Sequence, residues 1–259
     1  MMRRAAAAAI VLTVLMAATP AAAERLVTSL SNHRIFVTSS FVGENLVLFG
    51  AIEQDAASRP RSSGYDIIAT VTGPRRTVVT RRKERRLGIW VNVESREFVG
   101  VPIYLAVLST RSIAQIANED TRSRLQVGLN TFLLPQRIGG DIADVVQADP
   151  FRQAFMRINM RQRLYYESVK GVTLLSPQLF RAAIPLPAGA PIGTYSVDVK
   201  LFADGAMIAR TNSAFEVLKS GFEQFVADAA HQYSVLYGLV TALMALLTGW
   251  LASVIFRRD

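Results

Sequence analysis

Residues that could carry catalytic or metal chemistry are few and dispersed in this chain of 259 residues. It contains two histidines, His33 and His231, and no cysteine. A two-histidine metal site would need these distant residues to meet in the fold, and thiol nucleophiles and Cys-type zinc sites are excluded. The sequence also has no Gly-x-Ser-x-Gly elbow and no Gly-rich phosphate loop. We therefore expect no catalytic residue, no metal ligand and no cofactor.

Paired carboxylates are the remaining source of acid–base chemistry. Glu94 and Glu97 stand three residues apart, as do Asp141 and Asp144. Such pairs can act as general acid and base when they converge on one substrate. The simplest interpretation of both pairs is solvated loop charge. An enzyme that uses carboxylates stays open as an alternative.

The densest unusual feature is the basic stretch PRRTVVTRRKERR. It carries seven cations against the single acid Glu84, namely Arg75, Arg76, Arg81, Arg82, Lys83, Arg85 and Arg86. Like charges crowded on a hairpin repel one another, and an anionic neighbour relieves that repulsion. We predict contact with an anionic surface, either lipid headgroups or an acidic partner. The alternative is a solvated edge ribbon whose charge blocks strand addition.

A long apolar run precedes the C-terminus. Residues 235–256 contain no Asp, Glu, Lys or Arg, and Arg257 and Arg258 follow them. These 22 residues span roughly 33 Å as a helix, which is the thickness of a hydrocarbon core. The run predicts one transmembrane helix, and a buried core helix is the alternative.

The N-terminus has the pattern of a secretory signal. Arg3 and Arg4 precede an apolar run over 5–18, Pro20 follows, and three alanines stand before Glu24. The run is too short to span comfortably, and the small residues suit signal peptidase. We predict a cleaved signal peptide over residues 1–23, with an uncleaved anchor as the alternative.

These two segments together predict the topology. By the positive-inside rule the C-terminal tail, residues 257–259, is cytoplasmic. The juxtamembrane and transmembrane helix then covers residues 219–256. The body, residues 24–218, is periplasmic. The formal net charge of the chain is +9. The exported residues 24–232 carry 25 Lys and Arg against 19 Asp and Glu, a net charge of +6, which indicates attraction to anionic lipid, so we expect no nucleic-acid partner.

The body reads as mainly β. Alternating stretches at RIFVTSS, ENLVLFGAIE, YDIIATVTGP, RTVVTRR, GIWVNVE and PIYLAVLS predict strands. A helical insertion is predicted at about 111–170, where Ser112 with Gln115 resembles a capping box and Asp149-Pro150 opens a second helix, FRQAFMRINMRQRLYYES. Phe151, Phe155, Ile158 and Tyr165 form an apolar stripe on that helix.

Strands return after residue 171. Tyr195, Val197, Val199 and Leu201 alternate with polar residues, and Asp204-Gly205 predicts a hairpin turn. Tyr195 after a proline-rich loop has the pattern of a tyrosine corner, in which the hydroxyl binds backbone a few residues upstream. We predict an immunoglobulin-like antiparallel β-sandwich in which these last strands complete the first sheet pair. Two separate domains are the alternative.

The membrane segment carries two further patterns. Ser220 and Glu223 form a capping box with no proline after it, which predicts one unbroken helix from about Gly221 into the bilayer. Small residues at spacings of four and three form one helix face, a candidate packing surface for a membrane partner or a second copy. They are Gly238, Ala242, Ala245, Gly249 and Ala252.

The order of RIFVTSSFVGENLVLFGAIE, YDIIATVTGP, RRKERRLGIWVN, PIGTYSVDVKLFADG and SGFEQFVADAAHQYSVLYGL, followed by one terminal span, resembles the alphaproteobacterial transmembrane family Alph_Pro_TM. The resemblance implies a bacterial inner-membrane location and supplies no catalytic residues. It also implies a gene setting like that of accessory partners of TauE/SafE-like anion exporters. The leading hypothesis is therefore a membrane-anchored binding or assembly module, and the alternative is a periplasmic membrane-anchored hydrolase with an unrecognised carboxylate site.

Overall fold

The computed structural model describes residues 24–54, 64–144, 148–221 and 230–255, and the predicted signal peptide and cytoplasmic tail lie outside these ranges. Within them the chain forms fourteen strands and four helices, besides three helical residues at 230–232. The strands are β1 (Arg25–Leu30), β2 (Arg34–Val37), β3 (Gly43–Glu53), β4 (Asp66–Thr72), β5 (Arg75–Arg86), β6 (Ile89–Pro102), β7 (Leu105–Ser109), β8 (Pro135–Ile138), β9 (Asp141–Asp144), β10 (Tyr165–Val169), β11 (Val172–Leu174), β12 (Leu179–Pro187), β13 (Gly193–Ala203) and β14 (Ala206–Lys219). The helices are α1 (Ile113–Ile116), α2 (Glu119–Leu125), α3 (Pro150–Arg161) and α4 (Ser234–Ile255).

The strands form three sheets, and the predicted mainly β class with antiparallel sheets and a C-terminal apolar helix is confirmed. Sheet A has the order β1-β3-β12-β11 and is antiparallel throughout. Sheet B has the order β10-β7-β4-β13-β14-β2, with parallel pairing only at its two ends. Sheet C has the order β5-β6-β8-β9. Because β12 pairs with β3 and β13 with β4, late strands contribute to both sheets of the sandwich.

Sheets A and B enclose the main core. The predicted inward face of β13 is fully buried there, with Tyr195, Val197, Val199 and Leu201 at 0% exposure. The turn to β14 lies at Asp204-Gly205, as predicted. Both residues have left-handed φ angles, 51° and 81°, which is the conformation of the type I′ turn that joins twisted strands.

The hydrogen bond expected of a tyrosine corner is present. The Tyr195 hydroxyl donates to the Pro191 carbonyl, four residues upstream, at 2.7 Å. Its ring stacks on Phe215 at 4.9 Å between centroids and tilts against Tyr104 at 5.4 Å. The Tyr104 hydroxyl in turn donates to the Pro185 carbonyl on β12 at 2.5 Å. This corner is compatible with an immunoglobulin-like sandwich.

A second apolar cluster covers the other face of sheet B. Leu105 and Val107 of β7 point into it, while Ala106 and Leu108 point into the main core. Strands β4 and β7 of sheet B are therefore buried on both faces, which explains their continuous apolar character. Phe155 of α3 joins the cluster.

The predicted helical insertion contains more than helices, because β8, β9 and β10 also lie within it. The prediction of a capping box at Ser112 is wrong, because the Ser112 side chain makes no cap hydrogen bond and α1 is only four residues long. Asn118 caps α2 instead, accepting from the Thr121 amide at 2.9 Å. The cap at Asp149 is confirmed, since its carboxylate accepts from the Arg152 amide at 2.7 Å.

The end of the second predicted helix is also corrected. α3 ends at Arg161, and Arg163 adopts a left-handed φ of 57°. Tyr165 therefore lies in β10, parallel to β7, where its hydroxyl donates to the Pro102 carbonyl at 2.7 Å. The predicted stripe also fails at Ile158, which is 45% exposed. Burial raises the pKa of three tyrosine hydroxyls, those of Tyr104, Tyr165 and Tyr195, which we name the three buried tyrosines.

The helix that leads to the membrane was predicted to be continuous, and in the structure it is interrupted. Residues 230–232 are helical, but a bend at Tyr233 separates them from α4, whose first turn begins with the Tyr237 amide donating to the Tyr233 carbonyl at 2.8 Å. The capping box at Ser220 includes Glu223, which lies outside the described residues.

Candidate membrane-contacting site

Helix α4 has the properties of a membrane span. A window of 18 of its 22 residues reaches a mean hydropathy of 2.0, and no part of that window is buried against protein. The hydroxyls of Thr241 and Thr248 bond to carbonyls one turn back, at Tyr237 and Met244, so neither needs water. An apolar surface on all sides of a helix requires lipid or another apolar helix to cover it.

The small-residue face of α4 is open in the described structure. A methyl group built on Gly238 or Gly249 meets no atom within 4 Å beyond the helix's own nearby backbone. Ala242, Ala245 and Ala252 are likewise exposed. The face is free for packing, and its role as an assembly surface stays a prediction.

All seven predicted basic residues lie on β5, which pairs with β6 in a long hairpin, here named the basic arm (residues 75–102). At its root Phe98 is buried and stacks on Phe155 at 4.4 Å, and Arg75 donates to the Gly100 carbonyl at 3.0 Å. At its tip Leu87 and Gly88 form the turn, both with left-handed φ angles, 49° and 82°. The strands are therefore paired along the whole arm.

The register divides the basic residues between two faces of the arm. Arg82, Glu84 and Arg86 share one face with Glu94 and Arg96, and we name this the paired face. Arg82 contacts Glu84 at 3.0 Å and Glu94 at 3.3 Å, while Arg86 contacts Glu84 at 3.5 Å. Arg96 contacts Glu94 at 3.5 Å and stands over the Phe151 ring. Cations on this face have carboxylate partners within the arm.

The opposite face carries Arg81, Lys83 and Arg85, and we name it the cationic face. Trp90 is directly across from Arg85. All three cations are exposed, and within the described part of the chain none of them makes an ion pair. The Arg85 guanidinium donates to the Gly88 carbonyl at 3.3 Å, which holds it beside the turn.

An open cleft of about 430 Å³ lies between β5 and α3. Its lining includes four cations and no carboxylate, the cations being Arg81, Arg82, Lys83 and Arg157. A positive cleft of this kind attracts a phosphate or another small anion. It therefore extends the positive region from the arm onto α3.

Comparison with known families identifies the chain. The family described as “Putative transmembrane protein (Alph_Pro_TM)” matches residues 25–258. The chain belongs to the Alph_Pro_TM family. No curated protein and no solved structure matches it. The family description agrees with α4 as the candidate membrane helix, and a membrane protein of this kind contacts lipid.

Of the two carboxylate pairs that the sequence offered, Glu94 and Glu97 do not converge, and the second pair includes Asp144, whose side chain lies outside the described part of the structure. Glu94 and Glu97 lie on opposite faces of β6, and Glu97 pairs with Arg137 of β8 at 2.6 Å. No group of three or more His, Cys, Asp or Glu residues in the described ranges is arranged to hold a metal ion. His33 lies before β2, where its backbone carbonyl accepts from the Glu216 amide at 2.8 Å.

Three apolar residues at the tip of the arm were missed as site candidates. Leu87 is fully exposed, and Ile89 and Trp90 are 64% and 68% exposed. The stretch around them was interpreted only as a strand. The signal that points to them is local: three large apolar residues surround a Gly turn between charged strands, where no core exists for them to enter.

Proposed function

We propose that this Alph_Pro_TM protein is a single-pass protein of the bacterial inner membrane whose β-sandwich body is a periplasmic binding and assembly module. The observation that carries the proposal is α4, a span-length helix that is apolar on all sides and uncovered by the rest of the described chain. Such a helix is stable only in lipid or against other apolar helices.

The proposed topology rests on the two ends of the chain. Residues 1–23 are removed as a signal peptide, residues 24–218 face the periplasm, and residues 257–259 stay in the cytoplasm. The family match begins at residue 25, next to the proposed cleavage position. Arg257 and Arg258, directly after the span, favour the cytoplasmic side for the C-terminus.

Binding by surfaces, rather than catalysis, is supported by the engagement of three acidic side chains of the body. Glu94 and Glu97 are held by arginines on two faces of one strand, and Asp66 accepts three hydrogen bonds from the Arg111 guanidinium. A carboxylate whose oxygens are engaged by an arginine is not open to a substrate proton. The basic arm, by contrast, offers cations to an external partner.

The proposed partner of the span is another integral membrane protein or a second copy of the chain. The small-residue face of α4 allows close backbone approach, which is a principal source of helix association in lipid. The family resemblance favours an accessory subunit of a membrane complex, with anion export as the process.

The test is affinity purification of the tagged full chain from native membranes in mild detergent. We expect a membrane protein to co-purify in stoichiometric amount, and its identity names the process. A C-terminal fluorescent fusion, which matures only in the cytoplasm, tests the topology in the same strain. Recovery of the chain alone and as a monomer would refute the assembly role, and a dark fusion would refute the orientation.

A further inference from the structure

The two faces of the basic arm differ in how their charge is compensated. On the paired face, Arg82 and Arg86 have carboxylate oxygens at 3.0 to 3.5 Å. On the cationic face, Arg81, Lys83 and Arg85 alternate along one strand, so their side chains start only about 6.6 Å apart. This repulsion within a single face is relieved only by anions from outside the arm.

The tip adds apolar area directly beside these charges. Trp90 lies across from Arg85 on the cationic face, and Leu87 occupies the turn next to both. Tryptophan is enriched at the level of lipid headgroups, where its ring meets the acyl chains and its N–H meets water. Cations beside large apolar side chains are the composition of segments that lie in a membrane interface.

We propose that the cationic face of the basic arm binds the surface of an anionic lipid bilayer, with Arg81, Lys83 and Arg85 at lipid phosphates and with Leu87 and Trp90 inserted at the headgroup level. The inference rests on the proposed function in one respect, because α4 tethers the body, and the arm with it, to a bilayer. Such tethering raises the effective concentration of lipid around a weak second contact.

A lipid surface fits this face better than an acidic protein does. The cations and the apolar tip are all exposed, and a bilayer offers phosphates at one depth and hydrocarbon just below. The cleft between β5 and α3 provides a further positive position, beside Arg157, for a headgroup phosphate. An acidic protein surface supplies carboxylates but no apolar layer for Leu87 and Trp90.

The expected strength follows from the charges. Each Lys or Arg near an anionic membrane contributes about fivefold in partitioning, so three uncompensated cations contribute roughly a hundredfold. Salt screens this attraction, and docking should weaken between low and high ionic strength.

The experiment uses the full chain with Trp250→Phe, which leaves Trp90 as the single tryptophan of the two in the sequence. The protein is reconstituted into liposomes of phosphatidylcholine, with or without phosphatidylglycerol, containing lipids brominated near the headgroup. We expect Trp90 fluorescence to shift to the blue and to be quenched when phosphatidylglycerol is present. Trp90 emission that is the same in both kinds of liposome would overturn the proposal. If Trp90 is then shielded from water only in native membranes, its partner is a protein.

Two double variants separate the faces at equal loss of charge. Arg81→Gln with Lys83→Gln removes two cations from the cationic face and should weaken docking about 25-fold. Arg82→Gln with Arg86→Gln removes two cations whose charge Glu84 and Glu94 already offset locally, and should weaken docking several-fold less. Equal losses would show that only the summed charge acts, which contradicts binding by one face.

Failure of the docking and failure of the anchorage give different results. Extraction of the reconstituted chain by alkaline carbonate would refute insertion of α4 and with it the proposed function. A chain that resists extraction while Trp90 stays in water on anionic liposomes refutes the docking alone. Circular dichroism of each variant verifies that the exposed substitutions leave the fold intact.

Discussion

Replacing Tyr195 by phenylalanine removes one hydroxyl from the centre of the sandwich. That hydroxyl donates to the Pro191 carbonyl at 2.7 Å and joins the start of β13 to the loop that precedes it. The ring itself, at 0% exposure, keeps its contacts with Phe215 and Tyr104 in the variant. The substitution therefore isolates the hydrogen bond of the corner from the packing around it.

The expected loss can be estimated from this geometry. A neutral buried hydrogen bond contributes about 0.5–1.5 kcal/mol, and the abandoned Pro191 carbonyl raises the cost of its removal toward the upper end. In a domain of this size each kcal/mol corresponds to about 2–4 °C in Tm. We expect Tyr195→Phe to lower the melting temperature of the body by about 3–5 °C. Tyr195→Ala, which also removes the ring, should cost about 3–5 kcal/mol.

The assay is thermal and urea unfolding of the full chain in detergent micelles, followed by near-ultraviolet circular dichroism, which reports aromatic packing in the body. Tyr166→Phe is the matched control, because the Tyr166 side chain is 39% exposed on β10 and its hydroxyl makes no hydrogen bond within the described residues. An unchanged stability of Tyr195→Phe relative to this control would refute the structural role of the corner.

Three further expectations concern pH, assembly and processing. Burial raises the pKa of the three buried tyrosines above the unfolded value of about 10. Their contribution to the free energy of unfolding is therefore complete below that pH, and above it the free energy of unfolding falls by up to about 4 kcal/mol per pH unit. Urea unfolding across alkaline pH measures this, and a free energy of unfolding that does not change with pH would contradict it. Ala245→Leu with Gly249→Leu should leave membrane insertion intact but disrupt assembly, as measured by crosslinking or co-purification, whereas Leu247→Phe on the opposite side of α4 should leave both intact. Equal assembly of the two variants would show that the small residues reflect only the composition of the helix. Intact-mass spectrometry of the membrane-embedded protein should find Glu24 as the first residue, and retention of residues 1–23 would show an uncleaved anchor.

Local patterns were sufficient for the elements whose neighbours in sequence are also neighbours in space. The hairpin at Asp204-Gly205 and the corner at Tyr195 depend on contacts within a few residues, and both were predicted. The cap at Asp149 is equally local. The same reasoning failed at Tyr165, where the strand exists because β7 lies beside it, about 60 residues away in sequence. Parallel pairing of this kind leaves no signal in a local window.

The candidate site shows the same limit. The seven cations of β5 were visible in the sequence, but their division into a paired and a cationic face depends on the register of β5 against β6. That register shifts between Arg82 and Lys83, so counting residues back from the turn would place Glu94 on the wrong face. Compensation of charge within the arm is therefore a property of the folded hairpin.

Attachment of the arm to the body determines what a contact at its tip can do. Phe98 is buried at the root, and Arg96 stands over the Phe151 ring at 5.2 Å, so the hairpin is held by the second apolar cluster beneath it. A hairpin held in this way presents its cations at fixed spacing, and little conformational entropy is lost when they meet a charged surface. A body attached to the bilayer through both α4 and the arm rotates less freely than one attached through a single helix. The membrane contact that we propose therefore orients the sandwich, and an oriented sandwich offers a partner in the same membrane one constant face.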